Sequence, residues 1–225
     1  MGLKKLLRMM MSMPKTVYFN FRYLPFAQAI KLPICFHYST RIVIKGHKRG
    51  CVKFDVPVRF GMVQFGFNTV HICDCHKTLF QIDNGGEIHF RGKALIGRGS
   101  KFHVGGKGVL TLGDNFIISA QSVLNCYHSI TFGNDIQFGW DCLVMDSDTH
   151  NLYDCSGNIM NPDKPIVFGN KVWVACKATI FKGSTIPDNC VIGAGTMITG
   201  QHFESNTVIA GTPPRSVKEL GGWKI

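Results

Sequence analysis

The stretch IVFGNKVWVACKATIFKGSTIPDNCVIGAGTMIT, residues 166–199, repeats one pattern every six residues. Large apolar residues recur at Phe168, Val174, Ile180, Ile186, Ile192 and Ile198. Small or β-branched residues stand four positions after each of the first five: Val172, Ala178, Ser184, Cys190 and Thr196. Positions i and i+4 lie on the same side of a strand. A period of six fits short strands joined by corners, and fits neither an α-helix nor a heptad repeat.

The same pattern occurs earlier in the chain. Leu112-Gly-Asp-Asn-Phe116 and Phe132-Gly-Asn-Asp-Ile136 carry it, with a register shift of eight between Leu124 and Phe132 that predicts one irregular corner. Gly, Asn and Asp at intermediate positions suit corners, where a positive φ is needed. The spacing of six residues continues without a break from Phe168 to Ile198, which argues against a β-sandwich. The pattern therefore predicts an all-β parallel β-helix over residues 86–215.

The two flanks have other patterns. Residues 1–85 are interpreted as a basic N-terminal extension or cap, in which Leu3, Leu6, Leu7 and Met10 predict a short amphipathic helix ended by Pro14. Segments 41–45 and 52–56 are predicted strands within this mixed extension. Residues 216–225, after Gly211-Thr-Pro-Pro-Arg215, are predicted to form a short C-terminal helix and tail.

The net charge of +11 is concentrated at the N-terminus. Residues 1–60 contain twelve Lys and Arg against a single acid, Asp55, whereas the bases and acids of the remaining chain cancel. Such asymmetry occurs in nucleic-acid binders, in proteins on anionic membranes, and on a solvated face without a partner. We expect no nucleic-acid partner and allow for peripheral membrane contact.

Composition and cysteine content indicate a cytoplasmic protein. Hydrophobic residues make up 45% of the sequence, which is typical of a globular chain. No apolar run is long enough to cross a bilayer, and no signal peptide is recognised. The nine cysteines are odd in number and scattered, so we expect reduced thiols rather than a disulfide framework.

These motifs together resemble the hexapeptide-repeat acetyltransferases, and most of all the sugar and polysaccharide O-acetyltransferases similar to the maltose and galactoside enzymes. The resemblance covers residues 86–220 and includes Asp146-Ser-Asp-Thr-His150, Ile192-Gly-Ala-Gly-Thr196 and Ala210-Gly-Thr-Pro-Pro-Arg215. It implies a left-handed β-helix, a homotrimer with sites between subunits, acetyl-CoA as co-substrate, and a sugar or glycan acceptor.

His150 is the predicted catalytic base. It stands where the repeat expects an aliphatic residue, so the coil is interrupted there and a loop to Pro165 is expected. An imidazole titrating near neutrality suits removal of a hydroxyl proton during attack on a thioester. Asp148 is the candidate that orients this imidazole, with corner capping as its alternative role.

The resemblance also assigns a cofactor site. It implies oxyanion donors at the backbone of Ala175 and Cys176, with attack by the Cys176 thiol as a weaker alternative. Coenzyme A contacts are implied for Ala194, Thr199 and Arg215, although Gly200 stands where relatives often carry lysine. Trp173 and Trp140 are candidates for the pantetheine tunnel and the acceptor pocket, respectively, or for interface packing.

Gln121 and Asn125 are the candidate acceptor-binding residues. Three other functions stay open from the residues alone: N-acetylation of a nucleotide-linked amino sugar, acetylation of another small molecule, and a non-catalytic scaffold.

Two groups of residues in the sequence contain metal-ligand types. His71-Ile-Cys73-Asp-Cys75-His76 offers ligand types without a second paired cluster, and His103, His128 and His150 do not match the spacing of the related zinc-dependent carbonic anhydrases. We therefore expect no metal.

Overall fold

The computed structural model describes residues 3–46, 49–71, 73 and 76–224, with side chains from residue 7 onward. Two helices, α1 (Leu3–Tyr23) and α2 (Phe26–Ala29), precede the strands. Across the described residues, twenty-two strands form three sheets of nine, seven and six strands. Short strands that pair in parallel within three sheets are typical of a left-handed β-helix.

The strands visit the three sheets in turn. The first sheet contains β1 (Ile34–Phe36), β4 (Val63–Phe65), β7 (Ala94–Ile96), β10 (Phe116–Ala120), β13 (Gln137–Trp140), β16 (Trp173–Val174), β19 (Val191–Ile192), β21 (Thr207–Ala210) and β22 (Arg215–Glu219). The second contains β2 (Arg41–Ile44), β5 (Leu79–Ile82), β8 (Lys101–Val104), β11 (Val123–Cys126), β14 (Leu143–Met145), β17 (Thr179–Phe181) and β20 (Met197–Thr199). The third contains β3 (Val52–Phe54), β6 (Glu87–Phe90), β9 (Val109–Leu112), β12 (Ser129–Phe132), β15 (Ile166–Phe168) and β18 (Thr185–Ile186).

The core is a set of columns that run along the coil. In the second sheet, strand register stacks six buried side chains on one another: Phe80, Phe102, Leu124, Val144, Ile180 and Ile198. The large and small positions of the six-residue repeat are all buried, which confirms the predicted inward orientation. Each buried Leu, Ile or Phe contributes about 1.5–3 kcal/mol through removal from water.

The coil begins earlier than the sequence pattern indicated. β1 to β5 belong to the same three sheets, so coiling starts at Ile34 instead of residue 86. The two predicted strands at 41–45 and 52–56 are present as β2 and β3, within the coil. Long connections at 55–62 and 66–78 break the six-residue period there, and Phe36 and Phe65 replace the aliphatic residues of later coils.

Helix α1 caps the N-terminal end of the coil and does not end at Pro14. Its polar side chains at every fourth position accept bonds from alternate N–H groups of the first strand and the residues after it: Ser12 Oγ from Tyr38 (2.9 Å), Thr16 Oγ1 from Phe36 (3.2 Å) and Asn20 Oδ1 from Ile34 (3.2 Å). An edge strand needs such partners. Bonds on both sides of Pro14 hold the helix together across the missing N–H.

The C-terminal segment is a strand and not the predicted helix. β22 pairs antiparallel with β21, with Ala210 opposite Arg215 and Thr207 opposite Glu219. The two prolines turn the chain back onto the open edge of β21, and the backbone groups of that edge favour pairing over a five-residue helix.

Seven described cysteines are free thiols, namely Cys35, Cys51, Cys126, Cys142, Cys155, Cys176 and Cys190. Among the described residues, no helix has the length and apolar character that crossing a bilayer requires.

Candidate active site

His150 lies in the loop that interrupts the coil. The loop runs from β14 to β15, and the imidazole is exposed to solvent. The root of the loop is fixed by Asn161, whose Nδ2 donates to the backbone oxygen of His150 at 2.9 Å and to Asp148 Oδ2 at 2.7 Å. The predicted interruption of the repeat at this histidine is confirmed.

Asp148 has partners other than the one predicted. Its Oδ2 accepts a bond from Lys182 Nζ at 2.6 Å, and Lys182 also donates to the backbone oxygen of Asn161 at 2.7 Å. Among the described residues, no hydrogen bond joins Asp148 to the ring of His150. The bonds from Lys182 and Asn161 lower the pKa of Asp148, so it is ionised at neutral pH. Lys182 therefore fixes the loop at both ends, through Asp148 and Asn161.

Asp146 is fully buried and holds the irregular corner that the register shift predicts. Its carboxylate accepts bonds from the backbone N–H groups of Tyr127 at 2.7 Å and His128 at 2.9 Å. Buried carboxylates require such donors. The corner after β11 is therefore fixed to the end of β14, one coil further along the axis.

Several predicted site residues lie along the corner between the first and second sheets. Residues with positive φ stack at this corner in successive coils: Gly99, Gln121, Asp141, Lys177 and Gly195. Cys176 and Ala194 precede the last two of them, and the N–H of Gly195 donates to the oxygen of Cys176 at 3.0 Å. The structure thus brings Gln121, Cys176 and Ala194 to one ridge.

The two predicted oxyanion donors differ in availability. The N–H of Ala175 donates to the oxygen of Ile192 at 2.8 Å, so it is already used within the sheet. The N–H of Cys176 has no acceptor among the described residues. Gly139 lies directly against it, because a Cβ at that position would stand 2.9 Å from Cys176 N.

The candidate coenzyme A residues Ala194, Thr199 and Arg215 are all exposed. The N–H and hydroxyl of Thr199 are both bonded to the Gln201 side chain, at 2.5 Å and 3.0 Å. A cleft of about 630 Å³ brings Thr199 together with Asp148 and Lys182 on the outer face of the second sheet. Arg215 lies at the start of β22, on the first sheet.

The two tryptophans lie apart from that cleft. Trp173 is 41% exposed on the outer face of the first sheet, and its ring centroid is 6.3 Å from that of Trp223. Trp140 ends β13 and is half-buried at the corner, where its backbone oxygen accepts the N–H of Lys177.

Asn125 belongs to a polar row that sequence reasoning missed. Strand register places Gln81, His103 and Asn125 side by side on the outer face of the second sheet. His103 Nδ1 lies 2.7 Å from Asn125 Oδ1, and His103 Nε2 lies 3.2 Å from Asp83 Oδ2. Burial raises the pKa of Asp83, but bonds from His103, Gln81 and Lys45 outweigh it, so the net shift is downward. Along β8 and β11, every second side chain points outward, so the sequence could have revealed this row once the register between coils was known.

Gln121, the other acceptor candidate, donates from Nε2 to the backbone oxygen of Cys73 at 3.1 Å. The described residues contain no cluster of three metal-ligating side chains. Of the segment with metal-ligand residue types, Cys75 lies outside the described residues, and Cys73 is buried.

Comparisons with known proteins agree with this fold. No protein-family model matches the chain. Over 56 residues, the chain is 45% identical to galactoside O-acetyltransferase of Escherichia coli (strain K12), covering 25% of this chain and 27% of that protein. The chain is similar to the hexapeptide-repeat acetyltransferases.

Two further proteins resemble this hexapeptide-repeat chain. The putative lipopolysaccharide biosynthesis O-acetyl transferase WbbJ of the same E. coli strain is 28% identical over 101 residues, 40% of this chain and 50% of that protein. The crystal structure of the polySia specific acetyltransferase NeuO has a TM-score of 0.53 at 18% identity, covering 86% of this chain and 79% of that one. The matches span between a quarter and a half of the two curated relatives.

Proposed function

We propose that this chain is an acyl-CoA-dependent O-acetyltransferase that transfers acetyl from acetyl-CoA to a hydroxyl of a sugar or glycan, in polysaccharide biosynthesis. The observation that carries the proposal is the loop of His150, fixed by Lys182, Asp148 and Asn161 beside the cleft that contains Thr199. An exposed imidazole on a fixed loop, next to an open cleft, suits proton transfer to a bound substrate.

In the proposed reaction, His150 removes the proton of the acceptor hydroxyl as its oxygen attacks the thioester carbonyl carbon. The carbonyl oxygen becomes an oxyanion, which the N–H of Cys176 stabilises. Collapse of this intermediate breaks the carbon–sulfur bond, and the thiolate leaves with the proton held by His150. Asp148 acts as a positioning residue, since its bonds hold the loop and not the ring.

Acetyl-CoA is proposed to lie along the ridge of Cys176 and Ala194, toward the C-terminal coils. The acceptor is proposed to lie toward the N-terminal coils, at Asn125 and the adjoining His103. His150 stands between the two groups in coil order, as direct transfer requires.

The proposed assembly is a homotrimer whose sites lie between subunits. The flat outer sheet faces expose large apolar side chains that a neighbouring subunit would bury, namely Val167, Trp173 and Met197, each 40–41% exposed. A neighbour would also close the cleft, which one chain leaves open on the second sheet. Mixing a His150→Ala variant with an Ala194→Trp variant tests this: recovered activity supports shared sites, and an active monomer in light scattering contradicts them.

The test of the function is acetyl transfer to a panel of sugars, nucleotide-sugars and oligosaccharides, read by product mass. We expect His150→Ala to lower kcat by about 10²–10⁴ with little change in coenzyme A affinity. His71→Ala, an exposed histidine that does not line this cleft, is the matched control and should retain activity. Near-normal turnover by His150→Ala would refute the assignment, and transfer only to amines would redirect it to N-acetylation.

A further inference from the structure

The side of the cap helix α1 that faces the protein carries Phe19, which packs on Phe36 and Phe80, and a row of polar side chains. Ser12, Thr16 and Asn20 are buried against the first strand and carry its hydrogen bonds. Capping the coil explains this inner face completely. It does not explain the composition of the opposite face.

The opposite face of α1 is apolar and exposed. We define the cap face by six side chains at helical spacing and one at the start of α2, all 38–68% exposed: Leu7, Met10, Met11, Val17, Tyr18, Phe21 and Phe26. Phe26 continues the stripe, since its ring centroid lies 6.1 Å from that of Phe21. Exposed contiguous apolar surface of this kind marks an interaction site.

The surroundings of the cap face are cationic. Arg8, Arg22, Lys31 and Arg49 are exposed here, and among the described residues none of them lies within ion-pair distance of a carboxylate. No acid precedes Asp55 in the sequence. Beside Tyr18, a groove of about 610 Å³ adds Lys15 and Arg41 to the same edge.

The direction of the cap face follows from the hydrogen bonds. Ser12, Thr16 and Asn20 meet successively earlier residues of the first strand and its extension, so α1 runs antiparallel to β1. Strands lie across the axis along which coils stack, and α1 therefore lies across that axis too. Its outer face points along the axis, away from the coil, and the stripe from Leu7 to Phe21 is about 20 Å long.

We propose that the cap face docks on an anionic lipid surface, with its apolar side chains in the interfacial layer and the flanking cations at the headgroups. An apolar stripe bordered by Lys and Arg is the chemistry of an interfacial helix. A protein partner would also bury apolar residues, but the exposed Arg8, Arg22, Lys31 and Arg49 around the cap face are complementary to an extended anionic plane. In the proposed trimer, three cap faces would point in one direction and bind one membrane together.

The experiment is cosedimentation of the full chain with vesicles of phosphatidylcholine alone or mixed with phosphatidylglycerol, over a range of salt. We expect binding that rises with phosphatidylglycerol and falls with salt. Met11→Gln with Tyr18→Gln should weaken binding at least about tenfold. Arg22→Gln with Lys31→Gln should weaken it about tenfold or more on anionic vesicles only. Each variant is checked for unchanged helicity and thermal unfolding, since these side chains are exposed.

Matched controls lie elsewhere on the molecule. Met160→Gln with Val217→Gln changes side chains that are 64% and 60% exposed, comparable with 60% for Met11 and 65% for Tyr18, and should bind as wild type. Equal binding by wild type and the cap-face variant, or no wild-type binding to anionic vesicles at low salt, overturns the proposal. The wild type could fail to bind vesicles while the cap-face substitutions lower the mass of the assembly in light scattering. That result would show that another copy of the chain covers the cap face. Acetyl transfer to a soluble acceptor is read separately, so failure here leaves the enzymatic proposal standing.

Discussion

Lys182 and Asp148 are joined by a 2.6 Å ion pair at the root of the loop that carries His150. The two residues stand thirty-four positions apart in sequence and meet because successive coils stack. Lys182 belongs to the corner after β17, whereas Asp148 follows β14, one coil earlier. The loop is therefore fixed by the coil next to it.

The ion pair predicts how variants of its two members compare. If Asp148 only positions the loop, Lys182→Met and Asp148→Asn should lower kcat to a similar extent, about tenfold to 10²-fold, because a misplaced base costs rate. The double variant should lose little more than either single one. A much larger loss for Asp148→Asn alone would show that its carboxylate acts on the imidazole. Lys93→Met, an exposed lysine at the corner before β7 and outside the cleft, is the control.

A substitution at Gly139 tests the proposed oxyanion donor, the N–H of Cys176, without changing Cys176 itself. A methyl group there would lie 2.9 Å from the nitrogen of Cys176, so the backbone has to shift. We expect Gly139→Ala to lower kcat by up to about 10²–10³, the loss typical of one oxyanion donor. Cys176→Ala should retain activity, since only its N–H is used, and a trapped acetyl-thioester on Cys176 would contradict this. Gly221→Ala, with nothing within 4 Å of the added carbon, is the steric control.

The polar row of Gln81, His103 and Asn125 on the second sheet predicts that a substitution there changes the KM for the acceptor but not the KM for acetyl-CoA. His103→Ala removes the partner of Asn125 and Asp83, and we expect the KM for the acceptor to rise about tenfold, the worth of one net hydrogen bond. The KM for acetyl-CoA should not change. His89→Ala is the matched control, because His89 is equally exposed and bonds to Glu87 on the third sheet. An unchanged acceptor KM for His103→Ala would remove this row from the site.

His37 predicts a pH dependence of stability. Burial, then the charges of Arg98, Arg8 and Lys15, lower the pKa of His37 to about 4. Below the ordinary histidine pKa near 6.5, the unfolded chain binds this proton and the folded chain does not, so stability falls as pH drops from there toward 4. Between pH 7 and 5, this one residue should cost on the order of 2 kcal/mol in free energy of unfolding.

A His37→Gln variant checks that prediction by denaturant unfolding at both pH values. We expect the variant to be less stable at pH 7 and to lose about 2 kcal/mol less on acidification. His128→Gln, an exposed histidine, is the control. An identical pH dependence in His37→Gln and wild type would contradict the lowered pKa.

Much of the fold was predictable because the later coils have short corners of constant length. That regularity keeps Ile180 and Ile198 in one register and identifies the column they belong to. The early coils were missed because their long corners hide the period. The β22 strand was missed because its conformation depends on the open edge of β21, which a local pattern does not contain.

The site was predictable where one residue broke the pattern, and not where two coils meet. His150 stood out because it replaced an aliphatic residue. Lys182 is thirty-four positions from Asp148, and His103 is twenty-two from Asn125, so these bonds depend on the stacking register. Residue type alone could not distinguish an Asp that orients an imidazole from one that fixes a loop.

Because the coils stack on the cap helix, the number of coils sets the distance between the cap face and the loop of His150. Four strand spacings of about 4.8 Å separate β2, beside the cap, from β14, where the loop of His150 begins, or roughly 19 Å. The thickness of α1 adds roughly 10 Å. With the cap face on a bilayer, the proposed base would stand about 30 Å above the lipid. Hydroxyls close to a membrane-anchored end would then be out of reach, and only a glycan long enough to extend that far would be modified, at a distance set by the number of coils.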